Sequence, residues 1–144
     1  MIYWLTGQPS LGKSSLAKKI HQLISTEKRN WRKDVFLVDE KILDTISSDK
    51  SDKTIHGQII AEYLHKNGCD VVVDLFSPNK EVRDSFKDKI GKDKIQEFYC
   101  YSSSVKSEDY QEPIEDFVSV DTTKDTPNQA FNKIIHHLVD TNKL

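Results

Sequence analysis

A three-layer α/β fold, with a five-stranded parallel sheet between layers of helices, is predicted by three observations. Apolar runs of strand length alternate with helical patterns along the whole chain. The run Val71-Val72-Val73 is continuous rather than alternating, as a strand buried on both faces requires. The first apolar run also leads through glycines straight into a helical pattern, the strand–loop–helix order of a phosphate-binding loop.

Taken in order, the first strand is about Ile2–Leu5, and the first helix begins near Lys13 with Leu16, Ile20, Leu23 and Ile24 on one face. A charged segment, Glu27–Asp34, leads to a second strand at Val35–Val38. The polar tract Ser47–Lys53 reads as a surface loop. A second helix carries Ile55, Ile59, Tyr63 and Leu64 on one side and stops at Asn67-Gly68. After the valine strand, Ser77-Pro78 opens a helix with Pro78 in its first position and Val82, Phe86 and Ile90 inward, ending at Gly91. Ile95–Tyr101 and Phe117–Val120 read as strands four and five. Thr126-Pro127-Asn128-Gln129 has the form of a capping box with proline at the first position. It starts a last helix with a core face of Phe131, Ile134, Ile135, Leu138 and Val139.

The chemistry concentrates in Gly7-Gln8-Pro9-Ser10-Leu11-Gly12-Lys13-Ser14, which fits G-x-x-x-x-G-K-[ST]. Amides of such a loop converge on phosphate oxygens, and the following helix points its positive end at them. Gly7 and Gly12 let the main chain approach the anion, Lys13 reaches the β- and γ-phosphates, and the Ser14 hydroxyl ligates Mg²⁺. With Ser15 in the first helical turn, these residues form the expected ATP site. Asp39 and Asp74 stand at the carboxyl ends of strands two and three, where ligands gather in open parallel sheets. Either suits Mg²⁺ or the proton of an attacking hydroxyl, and either also suits a helix N-cap. Ser77 reads as a phosphate contact or a helix cap, Arg83 as an anion clamp or a surface residue.

Bulk properties fit one compact domain over 1–144. A net charge of −2 gives no strongly basic nucleic-acid-binding surface. Cys69 and Cys100 read as packed thiols, and no Cys/His spacing suggests zinc. There is no signal-peptide pattern and no apolar stretch of membrane-spanning length, so a cytoplasmic, membrane-free protein is expected. The five histidines read as surface or partly packed, Trp4 and Trp31 as packing, and Phe76, Tyr101 and Tyr110 as packing or base-stacking rings.

Together these residues resemble the adenylylsulfate (APS) kinases, P-loop kinases here in a shortened form. The resemblance runs through the opening Ile-Tyr-Trp-Leu-Thr-Gly-Gln-Pro and Leu-Gly-Lys-Ser-Ser-Leu-Ala-Lys, then Leu37-Val38-Asp39 and Phe76-Ser77-Pro78. It continues through Arg83, Tyr110, Pro113 and Asp121-Thr122. It implies transfer of the ATP γ-phosphoryl group to the 3′-hydroxyl of adenylylsulfate, with Lys13 and Asp39 catalytic and Ser14 and Asp39 around Mg²⁺; Asp74, where the family tends to a small residue, is expected to join that Mg²⁺ set in place of the aspartate lost at Lys41. It further implies Ser77, Arg83, Phe76 and Tyr110 at the acceptor, and Thr126 and Pro127 at the adenine edge.

The departures fall on the acceptor side. Lys41 and Asp44 replace an aspartate and an arginine, and Ser102–Asp109 stands where the family carries a long arginine-rich lid. Closure then falls to a subunit partner, as in a homodimer, to the substrate, or to charge from Arg83 and Lys80. Three readings follow: an adenylylsulfate kinase, a kinase of another hydroxyl such as a nucleoside or a hydroxymethylated base in DNA, and a non-catalytic ATP-binding module.

Overall fold

The computed structural model describes residues 1–7, 12–28, 33–46, 50–104 and 109–144. Its elements run β1 (Ile2–Thr6), α1 (Lys13–Lys28), β2 (Val35–Asp39), α2 (Glu40–Asp44) and α3 (Lys50–Lys66). They continue with β3 (Asp70–Asp74), α4 (Lys80–Ile90), β4 (Ile95–Tyr101), β5 (Phe117–Asp121) and α5 (Pro127–Asp140). The strands form one sheet in the order β2-β3-β1-β4-β5, every pair parallel. All five carboxyl ends therefore share one edge, and β1, which feeds the glycine-bearing loop, lies at the centre. This is the three-layer α/β fold that the sequence predicts.

Alternation along β1 divides its side chains between two cores. Tyr3 and Leu5 pack with Leu16, Ala17, Ile20 and Ile24 of α1 and with Ala130, Ile134 and Leu138 of α5. Ile2 and Trp4 pack on the other face with Leu43, Ala61, Leu75 and Phe86. Trp4 meets Phe86 edge to face at 5.3 Å. Among the described residues, no helix is long and apolar enough to cross a membrane.

Several boundaries and faces differ from expectation. The helix after β3 begins at Lys80 with Asn79 as its N-cap, so Ser77 does not cap it and Pro78 is not in its first position. Ser77 instead adopts φ 48°, which no helix start allows. Its buried positions are Arg83, Phe86 and Lys87, with Val82 only half-buried. On α3 the stripe Ile55, Ile59 and Tyr63 turns outward, Ile59 61% and Tyr63 68% exposed. The buried side carries Thr54, Gly57 and Ala61 because α3 lies close against the end of β3 and the residue after it: a Cβ on Gly57 would fall 2.3 Å from Leu75 Cδ1. Small residues, not large apolar ones, permit that approach. Val139 is likewise exposed on α5, whose buried residues are Ala130, Ile134 and Leu138. Residues 50–53 of the expected polar loop are helical, and the short α2 was not anticipated. Residues 29–32 with Trp31, residues 47–49, and 105–108 of the lid segment lie outside the described residues.

Candidate active site

Strand pairing places the two aspartates side by side: Asp39 registers opposite Asp74, which registers opposite Leu5 on its other flank. The carboxyl edge thus presents Asp39, Asp74 and the outlet of β1 in a row. Asp39 Oδ1 also accepts from Ile42 N at 3.2 Å and caps α2, so the cap and the edge position hold together. Asp74 is buried, with its Oδ1 3.4 Å from Lys13 Nζ.

Lys13 opens α1 and is itself buried. Its ammonium donates to Gly7 O and to Leu75 O, each at 3.0 Å. With Asp74 this gives the cation three acceptors and holds it at the mouth of the loop. Gly7 and Gly12 both have positive φ, 119° and 104°, as a loop curling around an anion requires. A Cβ on Gly7 would lie 2.0 Å from Cys100 O, so only glycine fits between β1 and β4 there. Ser14 and Ser15 are exposed in the first turn of α1. Gln8, Pro9, Ser10 and Leu11 lie outside the described residues.

The turn after β3 is held at nearly every polar atom. Leu75 O accepts from Lys13, Phe76 O from Gly7 N at 3.4 Å, and Ser77 O from Arg83 Nη1 at 2.7 Å. Phe76 N donates to Glu40 Oε1 at 3.1 Å, and Trp4 Nε1 donates to Ser77 Oγ at 3.0 Å. Three consecutive carbonyls thus bind the loop lysine, a loop glycine and an arginine of α4.

Arg83 is neither a surface residue nor a group open to a ligand in this conformation. It is 4% exposed, and its guanidinium donates to Ser77 O and Gln111 O. It also lies over the Tyr110 ring, 4.7 Å from the centroid. Its Nε approaches Glu97 Oε2 at 3.2 Å as an ion pair, without the alignment of a hydrogen bond. Glu97, 2% exposed within β4, accepts from Thr6 Oγ1 and Lys87 Nζ, each at 2.7 Å. Tyr110 closes the network, its hydroxyl donating to Thr6 Oγ1 at 3.0 Å and its ring stacked on Tyr99. Burial pushes the Tyr110 phenol well above its ordinary pKa. Ser77 and Tyr110 are therefore packed, and of the expected acceptor residues only Phe76 keeps a half-exposed ring.

Thr126 caps α5, its Oγ1 accepting from Gln129 N while Gln129 Oε1 accepts from Thr126 N, and Pro127 occupies the first position. Both stand exposed beyond β5 at the same sheet edge. Asp121 accepts from the amides of Thr123 and Lys124. Burial would raise its carboxyl, but those amides outweigh it and hold the pKa below the ordinary range. Glu40 and Glu97 are the two site residues that sequence reasoning missed. Glu97 had a signal, a lone carboxylate within the apolar run Ile95–Tyr101; Glu40 had none beyond following Asp39.

A family model for adenylylsulphate kinase matches residues 1–129. A probable adenylyl-sulfate kinase of Pyrococcus abyssi (strain GE5 / Orsay) is 23% identical over 162 residues, 92% of this chain and 91% of its own. Among solved structures, the hexameric APS kinase from Thiobacillus denitrificans has a TM-score of 0.77 at 18% identity over 99% of this chain. The chain spans 29% of that protein's length. The APS kinase of Mycobacterium tuberculosis, solved with AMPPNP and APS, has a TM-score of 0.67 at 17% identity, covering 99% of this chain and 97% of its own. At such identities the structural likeness speaks to the fold alone. The family match over 1–129, falling on a chain with this sheet and this loop, makes the protein a member of the adenylylsulphate kinase family of ATP-dependent P-loop kinases.

Proposed function

We propose that this kinase moves the γ-phosphoryl group of ATP to the 3′-hydroxyl of adenylylsulfate. The observation that carries the reading is the meeting of Lys13, Gly7, Asp39 and Asp74 at one sheet edge, in a chain that matches the family through the turn at Phe76-Ser77 and beyond. Lys13 exchanges its contacts with Gly7 O and Leu75 O for β- and γ-phosphate oxygens. Asp39 orients the acceptor hydroxyl and takes its proton as the oxygen attacks the γ-phosphorus. The bond from that phosphorus to the β,γ-bridging oxygen breaks, and ADP leaves with the bond's electron pair. Ser14, Asp39 and Asp74 offer a hydroxyl and two carboxylates, a hard-oxygen set suited to Mg²⁺. When bound, Mg²⁺ would neutralise charge developing on the phosphate oxygens. Thr126 and Pro127 border the adenine, and Phe76 flanks the acceptor.

One observation favours a second acceptor class. Arg83 turns into the Glu97 pair, so among the described residues the acceptor side lacks the guanidinium that an anionic phosphosulfate would attract. A less charged hydroxyl compound, such as a nucleoside, suits that arrangement better. ADP release from Mg-ATP, with and without adenylylsulfate and with the product mass checked, separates the readings. Stimulated release with one phosphate added to adenylylsulfate supports the first. No stimulation overturns it and moves the assay to the other acceptors, and saturable ATP binding without turnover on any of them identifies a binding module.

A further inference from the structure

We propose that Arg83 and Glu97 are positioning residues: a buried ion pair that fixes the Leu75–Ser77 turn against the phosphate-binding loop, with Arg83 reaching the acceptor only through the main chain. The inference rests on the proposed site but not on the identity of its acceptor. Ser77 sits at φ 48°, in the left-handed region that a serine holds only when its surroundings enforce it. What enforces it is on both sides: Trp4 on the hydroxyl and Arg83 on the carbonyl. Arg83 also takes Gln111 O, so one guanidinium joins α4 to the turn and to the segment after residue 109. Its planar fork spreads Nη1, Nη2 and Nε over Ser77 O, Gln111 O and Glu97 Oε2 in fixed directions, a span that the single nitrogen of an ammonium in the same place does not cover. Glu97 holds the guanidinium in that orientation and is itself fixed by Lys87 and by Thr6, the last residue of β1 before Gly7. The pair therefore grips both sides of the Gly7–Phe76 contact.

The test uses Arg83→Gln, Glu97→Gln, the double variant and the milder Arg83→Lys and Glu97→Asp, each checked for a cooperative melt. All are made in a Trp31→Phe background so that emission reports Trp4. Acrylamide quenching of Trp4 and affinity for a fluorescent ATP analogue are read without any acceptor. The pair predicts that both Gln variants expose Trp4 and weaken the analogue by at least about threefold, and that the double variant is no worse than the poorer single. With an acceptor that turns over, kcat falls about tenfold or more in both while acceptor KM moves less than threefold, and Arg83→Lys does not rescue. The proposal is overturned if Glu97→Gln behaves as wild type. It is equally overturned if Arg83→Gln raises acceptor KM tenfold with kcat kept and Arg83→Lys restores it, since that is direct charge binding. If adenylylsulfate is not turned over, the acceptor reading fails, and the quenching and affinity measurements still decide the pair.

Discussion

Gly7→Ala is the sharpest probe of the site, because two separate penalties coincide there. The residue has φ 119°, where an L side chain is strained by about 1–3 kcal/mol. The new Cβ would also lie 2.0 Å from Cys100 O and 3.0 Å from Cys100 C, and both obstacles are backbone of a central strand. Reaching the 3.4 Å of ordinary contact needs a shift of about 1.4 Å between β1 and β4 or in the loop. Forced overpacking of this kind costs about 1–3 kcal/mol more. Together these give a loss of about 2–6 kcal/mol, or a Tm lower by roughly 5–20 °C for a chain of this length. Where the loop takes up the shift instead, phosphoryl transfer falls by about two orders of magnitude. Gly12→Ala is the control for the melt: its φ is 104°, yet a Cβ there meets nothing within 4 Å, so only the strain remains to lower Tm. Thermal unfolding and ATP titration of both variants make the comparison. A Gly7→Ala protein with unchanged Tm and ATP affinity, or one melting no lower than Gly12→Ala, would refute the close approach of the loop to Cys100.

Other perturbations follow from the same geometry. Lys13→Ala abolishes phosphoryl transfer and also lowers stability by about 1–3 kcal/mol, because it strands the buried Asp74 carboxylate and two carbonyls; Asp74→Asn in that background recovers part of the melt but none of the activity. Cys100 resists a thiol reagent at pH 8 in the folded state, since burial pushes its pKa up to about 12, while the half-buried Cys69 is the faster of the two to react. The unfolded thiol ionises near pH 9 and the folded one does not, so its stabilising contribution is present below about pH 9 and is lost as pH rises toward 12; a Cys100→Ala variant shows a shallower alkaline decline in Tm. Thr126→Ala removes the α5 cap and costs about 1 kcal/mol, a Tm lower by a few degrees, with ATP affinity kept if only the backbone there meets the base.

The sheet was legible in the sequence because its strands are bounded by glycines and charges and β3, next to the central strand, carries three valines in a row. The helix ends marked by Gly68, Gly91 and Thr126-Pro127 were legible for the same local reason. The inward face of α3 was not, whereas on α5 only Val139 turned out instead of in. Periodicity weighs large apolar residues, whereas the tight seat against β3 selects Gly57 and Ala61 and leaves Ile59 outside. At the site, the loop motif located Lys13, and its position after a strand located Asp39. The orientation of Arg83 on α4 was hidden, since its partner Glu97 lies fourteen residues away on strand β4 and only the fold brings them together. The same holds for Glu40 and the amide of Phe76.

The central place of β1 also bears on how the molecule is made. Its neighbours on either side are β3 and β4, and Ile2 pairs with Val71 and Ile95. A ribosome adding about 5–20 residues per second takes roughly 3–13 s to make the 63 residues between β1 and its first partner. For that interval an apolar strand with both edges bare waits for chaperone or for chain, while α1 can shelter one face of it and, once made, Leu43 and Ala61 the other. Closing a span of that length adds an entropic cost, and edge pairing of β1 cannot begin until β3 has been made. Slowing translation between residues 30 and 70 should therefore raise the fraction lost to aggregation, whereas the same pause after residue 101, with β1 already flanked, should not.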